Sequence, residues 1–350
     1  MDRTELYRDI AERTNGDIYI GVVGPVRTGK STFIKRFMDL LVLPGMEDPH
    51  AKERLTDELP QSAAGRTIMT TQPKFVPNEA AQLKISDTTS IRVRMVDCVG
   101  YMVPGAVGHI ENDMPRMVRT PWHDHDIPFE EAAEIGTRKV ITEHSTIGVV
   151  LTTDGSITDI PAGDYEQAQS RAISDMLATG KPFVILVNSE HPESAEAKNQ
   201  ARRLSQQYGV GARAVNALTM DEEQIQSILT DLMYEFPATE LRFFLPGWVR
   251  ALPDDSTVKT ALYDAMREQA GKLTKIAQAE PAMKELLKLA QVQSFAVTDV
   301  DLGTGTITAE LSVPESLFYE LLSQKTGLEI AGELDLMQIL TELAAEQQEY

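Results

Sequence analysis

A nine-residue loop constrains the fold of this chain more than any other feature. The run GPVRTGKST, residues 24–32, matches the pattern GxxxxGK[ST]. An apolar, β-branched run at 17–23 precedes it, and residues 31–41 place their apolar side chains on one helical face. Strand, glycine-rich loop and helix in this order are typical of a phosphate-binding loop, in which backbone N–H groups surround phosphate oxygens at a helix N-terminus.

The residues of this loop have distinct predicted tasks. We expect Lys30 to neutralise the charge of the β- and γ-phosphates and the Ser31 hydroxyl to bind Mg²⁺. An ordinary glycine-rich turn is the alternative, but a chance match with this strand and this helix around it is rare. The predicted nucleotide-binding residues of the loop are Gly24, Arg27, Thr28, Gly29, Lys30, Ser31 and Thr32.

An acidic residue after a later strand completes the predicted magnesium site. Residues 82–85 and 91–96 indicate two strands, and Asp97 opens the sequence DCVG directly after the second. We expect Asp97 to hold Mg²⁺ or its water, and the Gly100 N–H to approach the γ-phosphate. Alternating polarity predicts an antiparallel hairpin at the edge of an otherwise parallel sheet. Cys98 is interpreted as a packing residue, because the neighbouring sequence contains no activating His.

Two threonines lie between these motifs. Thr70 and Thr71 occupy the place of a sensor for the γ-phosphate and Mg²⁺, with strand propensity as the alternative explanation. The stretch 44–66 has the composition of a mobile, switch-like connection. Catalysis also needs positive charge and a group that orients water, but Tyr101 rather than Gln follows DCVG. The candidate charges are Arg27, Arg66 and Lys74, for each of which a surface role is the favoured interpretation.

The end of the fifth predicted strand argues against guanine recognition. A guanine reader there needs Asn, a following Lys, and an Asp that accepts the guanine N1 and N2 protons. Residues 187–191 instead read Val-Asn-Ser-Glu-His. Without that carboxylate the physical basis for guanine preference is lost, so ATP is the predicted nucleotide. The predicted contacts near the base are Asn188, Ser189, Asn216 and Ala217.

Periodicity divides the chain into two predicted domains. Residues 1–236 indicate an α/β, GTPase-like P-loop domain, because the later strands are near-continuous apolar runs of the kind covered on both faces. Residues 237–350 indicate a smaller α+β domain with a hairpin at 295–311. The predicted later strands are 146–152, 183–187 and 212–215, and the predicted helices are 129–143, 163–179, 193–208, 221–235, 256–293, 315–325 and 333–348.

An insertion at 101–128 interrupts the first domain. It is rich in Pro, Gly, His and Asp and is longer than a usual connection, which favours either a function or disorder. Its HDHD run, residues 123–126, is interpreted as a solvated loop rather than a metal site, since no further His or Cys cluster completes a coordination shell.

Charge and composition exclude several classes of protein. With 53 acidic and 33 basic residues, the formal net charge is −20, which opposes binding to nucleic acid or anionic lipid. No apolar run approaches the length of a membrane span, and the charged N-terminal segment lacks the pattern of an export signal. The single cysteine fits a reducing compartment. We therefore expect a cytoplasmic protein with no transmembrane segment and no nucleic-acid partner.

Five stretches of the sequence carry a family resemblance. They are AERTNGDIYIGVVGPVRTGKSTFIKRFM, DELPQSAAGRTIMTTQPKFVPNEA, VDCVGYMVPGA, PFEEAAEIGTRKVITEHSTIGVVLTTDGSI and LMYEFP. Through them the chain closely resembles the stage IV sporulation protein A family, the coat morphogenetic ATPases of endospore-forming bacteria. The resemblance is looser from about residue 237 onward. It implies a GTPase-like fold that uses ATP, with Lys30 in the Walker A motif, Asp97 in the Walker B motif, and Thr70 and Thr71 as sensors.

The resemblance also implies a cellular role. Members of this family polymerise after ATP hydrolysis into a basement layer on the forespore surface, on which the spore coat is built. The implied location is the mother-cell cytoplasm at the outer forespore surface. Members continue into a C-terminal domain that binds a small amphipathic forespore-membrane protein and other coat morphogenetic proteins, and we expect this chain, which ends at Tyr350, to lack that domain. A GTPase-like regulatory switch and a nucleotide-binding scaffold without turnover are the alternatives.

Overall fold

The computed structural model describes residues 3–60, 72–84, 90–111 and 114–348. The chain divides into two compact units, Met1–Phe236 and Pro237–Tyr350. The first contains the loop of residues 24–32, and its fold positions the candidate site.

Strands and helices alternate along the first unit. Its strands are β1 (Asp17–Val23), β2 (Lys74–Lys84), β3 (Ser90–Asp97), β4 (Ile110–Glu111), β5 (Met114–Pro115), β6 (Met117–Val118), β7 (Ile127–Pro128), β8 (Ile147–Thr153), β9 (Phe183–Asn188) and β10 (Ala212–Val215). Its helices are α1 (Arg3–Thr14), α2 (Lys30–Phe37), α3 (Leu43–Gly45), α4 (Pro49–Glu58), α5 (Phe129–Lys139), α6 (Glu166–Thr179), α7 (Ala195–Tyr208) and α8 (Glu222–Tyr234).

A six-stranded sheet organises this unit, with the order β10-β9-β8-β1-β3-β2. Every neighbouring pair is parallel except β2 and β3. The prediction of a mostly parallel sheet with an antiparallel edge hairpin is therefore confirmed. Since β1, β3, β8, β9 and β10 run in one direction, their carboxyl ends lie along the same edge, which is where ligands bind in sheets of this class.

The middle of the sheet is the core of the unit. Every residue of β8 and β9 is buried, as the near-continuous apolar sequence predicts for strands covered on both faces. On α2 the side chains of Phe33, Ile34 and Phe37 are buried as well. Burial of a side chain of this size contributes about 1.5–3 kcal/mol, so these contacts fix the end of the loop that leads into α2.

Local sequence sets the ends of the helices. Ser194 accepts a hydrogen bond from the Ala197 N–H at the start of α7, and Asp221 and Gln224 form a reciprocal capping box at the start of α8. Gly180, with a φ of 68°, ends α6 in the left-handed conformation that favours glycine. The predicted helices of this unit are confirmed with small differences at their ends.

The stretch 44–66 is only partly the connection that we expected. Helix α4 lies within it, beginning at Pro49 after Asp48, whose side chain accepts a hydrogen bond from the His50 N–H. Leu55 on this helix is buried. The interpretation as a mobile loop is therefore wrong for residues 49–58, while 61–66 lie outside the described residues.

The insertion at 101–128 contains short antiparallel pairs. Strand β4 pairs with β5 through Ile110 and Pro115, and β6 pairs with β7 through Met117 and Pro128. The described part of the insertion thus contains two short antiparallel pairs, joined by turns and irregular backbone, between β3 and α5.

The second unit is a small α+β structure. Its strands are β11 (Glu240–Phe244), β12 (Ser294–Asp301) and β13 (Thr306–Ser312), and its helices are α9 (Gly247–Ala251), α10 (Thr257–Lys272), α11 (Ala279–Leu286), α12 (Glu315–Thr326) and α13 (Glu333–Gln348). The hairpin of β12 and β13 is confirmed, and β11, which we did not predict, adds a parallel strand to it. The predicted continuous helix 256–293 is wrong, because the chain breaks between α10 and α11. Within the described ranges, no helix is long and apolar enough to span a bilayer.

Candidate nucleotide-binding site

The loop between β1 and α2 has a backbone that requires glycine at two positions. Gly24 has a φ of 138° and Gly29 a φ of 90°. A Cβ would lie 2.1 Å from the Leu151 carbonyl oxygen at Gly24, and 2.4 Å from the Asn188 Nδ2 at Gly29. Any other residue would push the loop away from β8 or β9. The loop is therefore held at the carboxyl edge of the sheet by close packing of its backbone.

Lys30 places a cation inside this loop. Its side chain is buried, and its Nζ donates a hydrogen bond to the Pro25 carbonyl oxygen over 2.5 Å. Thr28, also buried, donates from its Oγ1 to the same oxygen at 3.0 Å. Burial lowers the pKa of Lys30, and the nearby Cys98 and Asp97 oppose that shift. A buried ammonium in a loop of backbone N–H groups is suited to an anionic ligand.

Ser31 and Asp97 meet beside this lysine. The Ser31 Oγ donates to the Asp97 Oδ2 over 2.6 Å, which joins the start of α2 to the end of β3. The Asp97 Oδ1 is buried, and no hydrogen-bond partner for it is found among the described residues. Burial raises the pKa of Asp97, against the Ser31 hydrogen bond and the charge of Lys30. A hydroxyl and a carboxylate with one buried oxygen to spare are hard oxygen ligands, so these residues fit Mg²⁺.

The basic residues predicted as candidate catalytic charges lie in different surroundings. Lys74 is the register partner of Asp97 across β2 and β3, and it is exposed at that corner of the site. Arg27 lies in the loop itself with a φ of 60°, a left-handed conformation that is uncommon outside glycine. Arg66, Thr70 and Thr71 lie outside the described residues, so their roles stay predictions.

Backbone hydrogen bonds connect the residue after the DCVG segment to the loop of residues 24–32. The Tyr101 N–H donates to the Gly24 carbonyl oxygen at 3.1 Å, and the Val26 N–H donates to the Tyr101 carbonyl oxygen at 2.9 Å. Cys98 is buried within the same segment, and burial raises the pKa of its thiol to about 11. A neutral buried thiol agrees with the interpretation of Cys98 as a packing residue.

Tyr101 does not direct its side chain into the loop. The ring is buried, its hydroxyl is hydrogen-bonded to the Asp175 carboxylate on α6, and the Arg171 guanidinium lies 5.0 Å from the ring centre. Burial, followed by the Asp175 hydrogen bond, raises the pKa of this phenol. Arg171 in turn forms a two-point ion pair with Glu134 on α5. The residue that stands where a water-orienting Gln would stand is therefore part of the packing between α5 and α6.

Asn188 connects two loops at the end of β9. Its Nδ2 donates to the Thr28 carbonyl oxygen at 3.0 Å, and its Oδ1 accepts from the Ala217 N–H at 3.0 Å. Both ends of this buried amide are thus used inside the protein. Asn188 thus joins the loop of residues 24–32 to the loop after β10, and its contact with a base stays a prediction.

The other predicted base contacts surround this connection. Ser189 is buried, and its Oγ accepts from the His191 N–H at 3.0 Å. The Asn216 Oδ1 accepts from the N–H groups of Leu218 and Thr219, which forms a tight turn after β10. The contact of Ser189, Asn216 and Ala217 with a base stays a prediction.

One buried residue of this site, Thr137, was not predicted from the sequence. Thr137 on α5 accepts a hydrogen bond from the Gly100 N–H over 3.2 Å. The only sequence signal is a polar residue on the otherwise buried face formed by Phe129, Ala132, Ala133 and Gly136.

Comparison with known proteins decides the family. The model for the ATPase domain of stage IV sporulation protein A matches residues 1–237, and the model for the middle domain of that protein matches residues 238–350. The chain belongs to the stage IV sporulation protein A family. The loop, Asp97, Asn188 and Asn216 all lie within the region that matches the ATPase domain, which is a nucleotide-binding domain.

Individual members of the stage IV sporulation protein A family are similar over the whole chain. The protein of Bacillus subtilis (strain 168) is 43% identical and that of Bacillus anthracis 41% identical, each over 350 residues that cover 100% of this chain and 71% of the relative. The protein of Clostridioides difficile (strain 630) is 43% identical over 345 residues, 99% of this chain and 70% of the relative. Crystal structures of two SsGBP variants match with TM-scores of 0.35 and 0.33 and identities of 11% and 13%, over 66% and 65% of this chain and 64% and 59% of theirs, a likeness too low to support an argument.

Proposed function

We propose that this chain binds ATP with Mg²⁺ at the loop of residues 24–32, hydrolyses it, and uses hydrolysis to assemble with further copies of itself. The observation that carries the enzymatic part is the cluster of Lys30, Ser31 and Asp97, in which a buried cation lies beside a hydroxyl–carboxylate pair. Family membership supports the same conclusion, because the region that contains this cluster matches an ATPase domain.

The chain's own residues divide the work of the reaction. Backbone N–H groups of the loop, apart from Pro25, which has none, and Val26, which is bonded to Tyr101, would surround the phosphates. Lys30 would exchange its bond to the Pro25 carbonyl oxygen for bonds to phosphate oxygens. Ser31 and Asp97 would hold Mg²⁺, which would neutralise phosphate charge when bound. Thr70 and Thr71 are proposed as the sensors of the γ-phosphate, on the sequence alone.

The choice of ATP over GTP follows from the end of β9. Ser189 stands where the Lys of a guanine reader would stand, and His191 stands where its Asp would stand. No carboxylate at that position accepts the guanine N1 and N2 protons. We therefore propose adenine as the base.

Assembly into a layer for the spore coat is the part of the proposal that comes from the family. The curated relatives are stage IV sporulation proteins, and the implied site of assembly is the mother-cell side of the forespore surface. The proposed partners are further copies of this chain, a small amphipathic forespore-membrane protein and other coat morphogenetic proteins.

A nucleotide-binding scaffold without turnover is the second candidate. The placement of Tyr101 favours it, because this side chain is bonded to Asp175 and cannot orient water at the phosphates. Hydrolysis then depends on a group from elsewhere in the chain or from a neighbouring copy.

Phosphate release and sedimentation together test the proposal. The intact chain should release phosphate from ATP, not from GTP, and should sediment as polymer after ATP is added. Lys30→Ala should abolish both, whereas the matched control Lys35→Ala, which removes a lysine from the same helix outside the loop, should preserve them. Retained ATP binding without phosphate release would favour the scaffold, and equal polymer in Lys30→Ala and wild type would exclude assembly driven by hydrolysis.

A further inference from the structure

Gly100 lies directly against the candidate phosphate site. A Cβ at this position would be 2.2 Å from the Gly24 carbonyl oxygen and 2.6 Å from the Lys30 Nζ. Only glycine allows so close an approach of this backbone to the loop and its cation. The Gly100 N–H is also the group that we expect to reach a γ-phosphate.

That N–H already has a partner inside the protein. It donates to the Thr137 Oγ1 over 3.2 Å. Thr137 is completely buried on α5, and its own hydroxyl donates to the Ala133 carbonyl oxygen at 2.8 Å. Because the Thr137 proton is used by Ala133, the oxygen presents a lone pair to Gly100.

The surrounding segment is held, so only a local movement can redirect this N–H. The hydrogen bonds from Tyr101 to Gly24 and from Val26 to Tyr101 fix the backbone immediately after Gly100. Gly100 has a φ of 98° and can change conformation more readily than other residues. Rotation of the single peptide between Val99 and Gly100 is the smallest movement that turns the N–H from Thr137 to a phosphate oxygen.

We propose that Thr137 is a positioning residue through which the site distinguishes a nucleoside triphosphate from a diphosphate. Thr137 holds the Gly100 N–H when no γ-phosphate is present, and a γ-phosphate oxygen takes its place when ATP binds. A diphosphate offers no oxygen at that position and leaves the bond intact. The inference rests on the proposed function, since it requires a nucleotide at the loop.

Removal of the Thr137 hydroxyl should affect the two nucleotide states unequally. In Thr137→Val the Gly100 N–H loses its oxygen acceptor in the free and ADP-bound protein and keeps only the weak acceptor Cys98 Sγ, which destabilises both states. The ATP-bound protein is not destabilised, because in it a γ-phosphate oxygen accepts the Gly100 hydrogen bond. ATP should therefore bind more tightly to the variant, and ADP should bind as it does to wild type.

The test measures the dissociation constants of Mg²⁺-ADP and of the Mg²⁺ complex of a β,γ-imido ATP analogue, on the intact chain, by calorimetry. Thr137→Val should raise the ratio of the ADP constant to the analogue constant by about tenfold. Thr137→Ser, which keeps the hydroxyl, should show the wild-type ratio. The matched control is Thr142→Val, which removes an exposed threonine hydroxyl that bonds only within its own turn.

Melting temperatures give a second readout that a purely structural role would not produce. The analogue should raise the melting temperature of Thr137→Val more than that of wild type, whereas ADP should raise both equally. Thr137→Ala, which also lacks the hydroxyl, should shift the ratio in the same direction.

Two results for the ratio of dissociation constants would overturn the inference. One is an unchanged ratio in Thr137→Val and Thr137→Ala. The other is a ratio that falls, since Thr137 would then support triphosphate binding. If wild type binds both nucleotides, the proposed site survives either result. If wild type binds neither, the proposed function fails together with this inference.

Discussion

At the scale of single residues, the candidate site combines a cation and an acid that both lose solvation. Burial lowers the pKa of Lys30 and raises that of Asp97, so each is pushed towards its neutral form. A nucleotide phosphate beside Lys30 and Mg²⁺ beside Asp97 would reverse both effects, because each supplies the opposite charge. A bound metal–nucleotide complex would therefore stabilise the charged forms of both Lys30 and Asp97.

Asp97→Asn tests the acid of this pair. The amide keeps the shape of the side chain and can still accept from Ser31, but it offers no negative charge to Mg²⁺. We expect the Mg²⁺ concentration needed for half-maximal phosphate release to rise by about 10–100-fold. The control is Asp39→Asn, which changes a carboxylate in the π-helical segment Met38–Val42 that follows α2. An unaltered Mg²⁺ dependence in Asp97→Asn would contradict the assignment of Asp97 as a metal ligand.

Cys98 gives a prediction about pH. Its folded-state pKa of about 11 lies above the ordinary value of 9.0, so the folded state favours the neutral thiol. Protonation of the Cys98 thiol therefore stabilises the folded state fully below about pH 9, and this stabilisation is lost as the pH rises towards 11. At pH 8 iodoacetamide should alkylate the native chain about a hundredfold more slowly than the urea-unfolded chain, because the thiolate is the reactive form. Equal rates in the two states would show an accessible, ordinary thiol.

Residues of the site differ in how far the sequence could predict them. Lys30 and Ser31 belong to nine contiguous residues whose spacing specifies their geometry. The partners of Thr137 and Asn188 are instead 37 and 160 positions away, at Gly100 and Thr28. These hydrogen bonds form only because the fold brings distant segments, including helix α5, together near the carboxyl edge of the sheet. No local sequence pattern indicates these contacts.

At the scale of elements, Asn188 joins the loop after β1 to the loop after β10. Asn188→Ala would leave the Thr28 carbonyl oxygen and the Ala217 N–H without their partner. We expect the free energy of unfolding to fall by about 2–4 kcal/mol, measured by urea denaturation. Asn188→Asp keeps the acceptor for Ala217 but places a buried carboxylate oxygen against the Thr28 carbonyl oxygen, so its loss should be at least as large.

An exposed asparagine provides the control for this prediction. Asn199→Ala, on the surface of α7, should change the stability by no more than about 0.5 kcal/mol. If Asn188→Ala were equally mild, the amide would not be what holds the two loops together.

Elements were predictable where burial produces a strong pattern. Strands β8 and β9 are buried throughout, and their apolar runs indicate them directly. In strand β11, exposed and partly buried residues alternate over only five positions, so one face is partly buried. This pattern is too short to indicate a strand between two nearby prolines. Helix α4 has a buried side chain only at Leu55, so its periodicity is weak although its N-terminal signals are present.

At the scale of the whole molecule, each of the two units has a core of its own. In the second unit Val249, Leu262 and Met283 from the helices pack with Ala309 and Leu311 of β13. We therefore expect residues 1–236 and 237–350, expressed separately, to unfold cooperatively in calorimetry. The fragment 1–236 should bind the ATP analogue within about threefold of the intact chain, since all the described site residues lie in it. A fragment 1–236 that is unfolded or does not bind would show that the site depends on the second unit.

Helix α13 exposes most of its large apolar side chains, which predicts how quickly its amide hydrogens exchange. Leu334, Met337, Leu340 and Leu343 are 69%, 67%, 56% and 50% exposed, so this helix buries little of its apolar surface. A helix of 16 residues without such burial is close to the limit of stability in water. Its amide hydrogens should therefore exchange with deuterium in the earliest phase, long before those of β13, where Ile307, Ala309 and Leu311 are buried. A partner surface that covers these four side chains would appear in the same measurement as slowed exchange confined to α13.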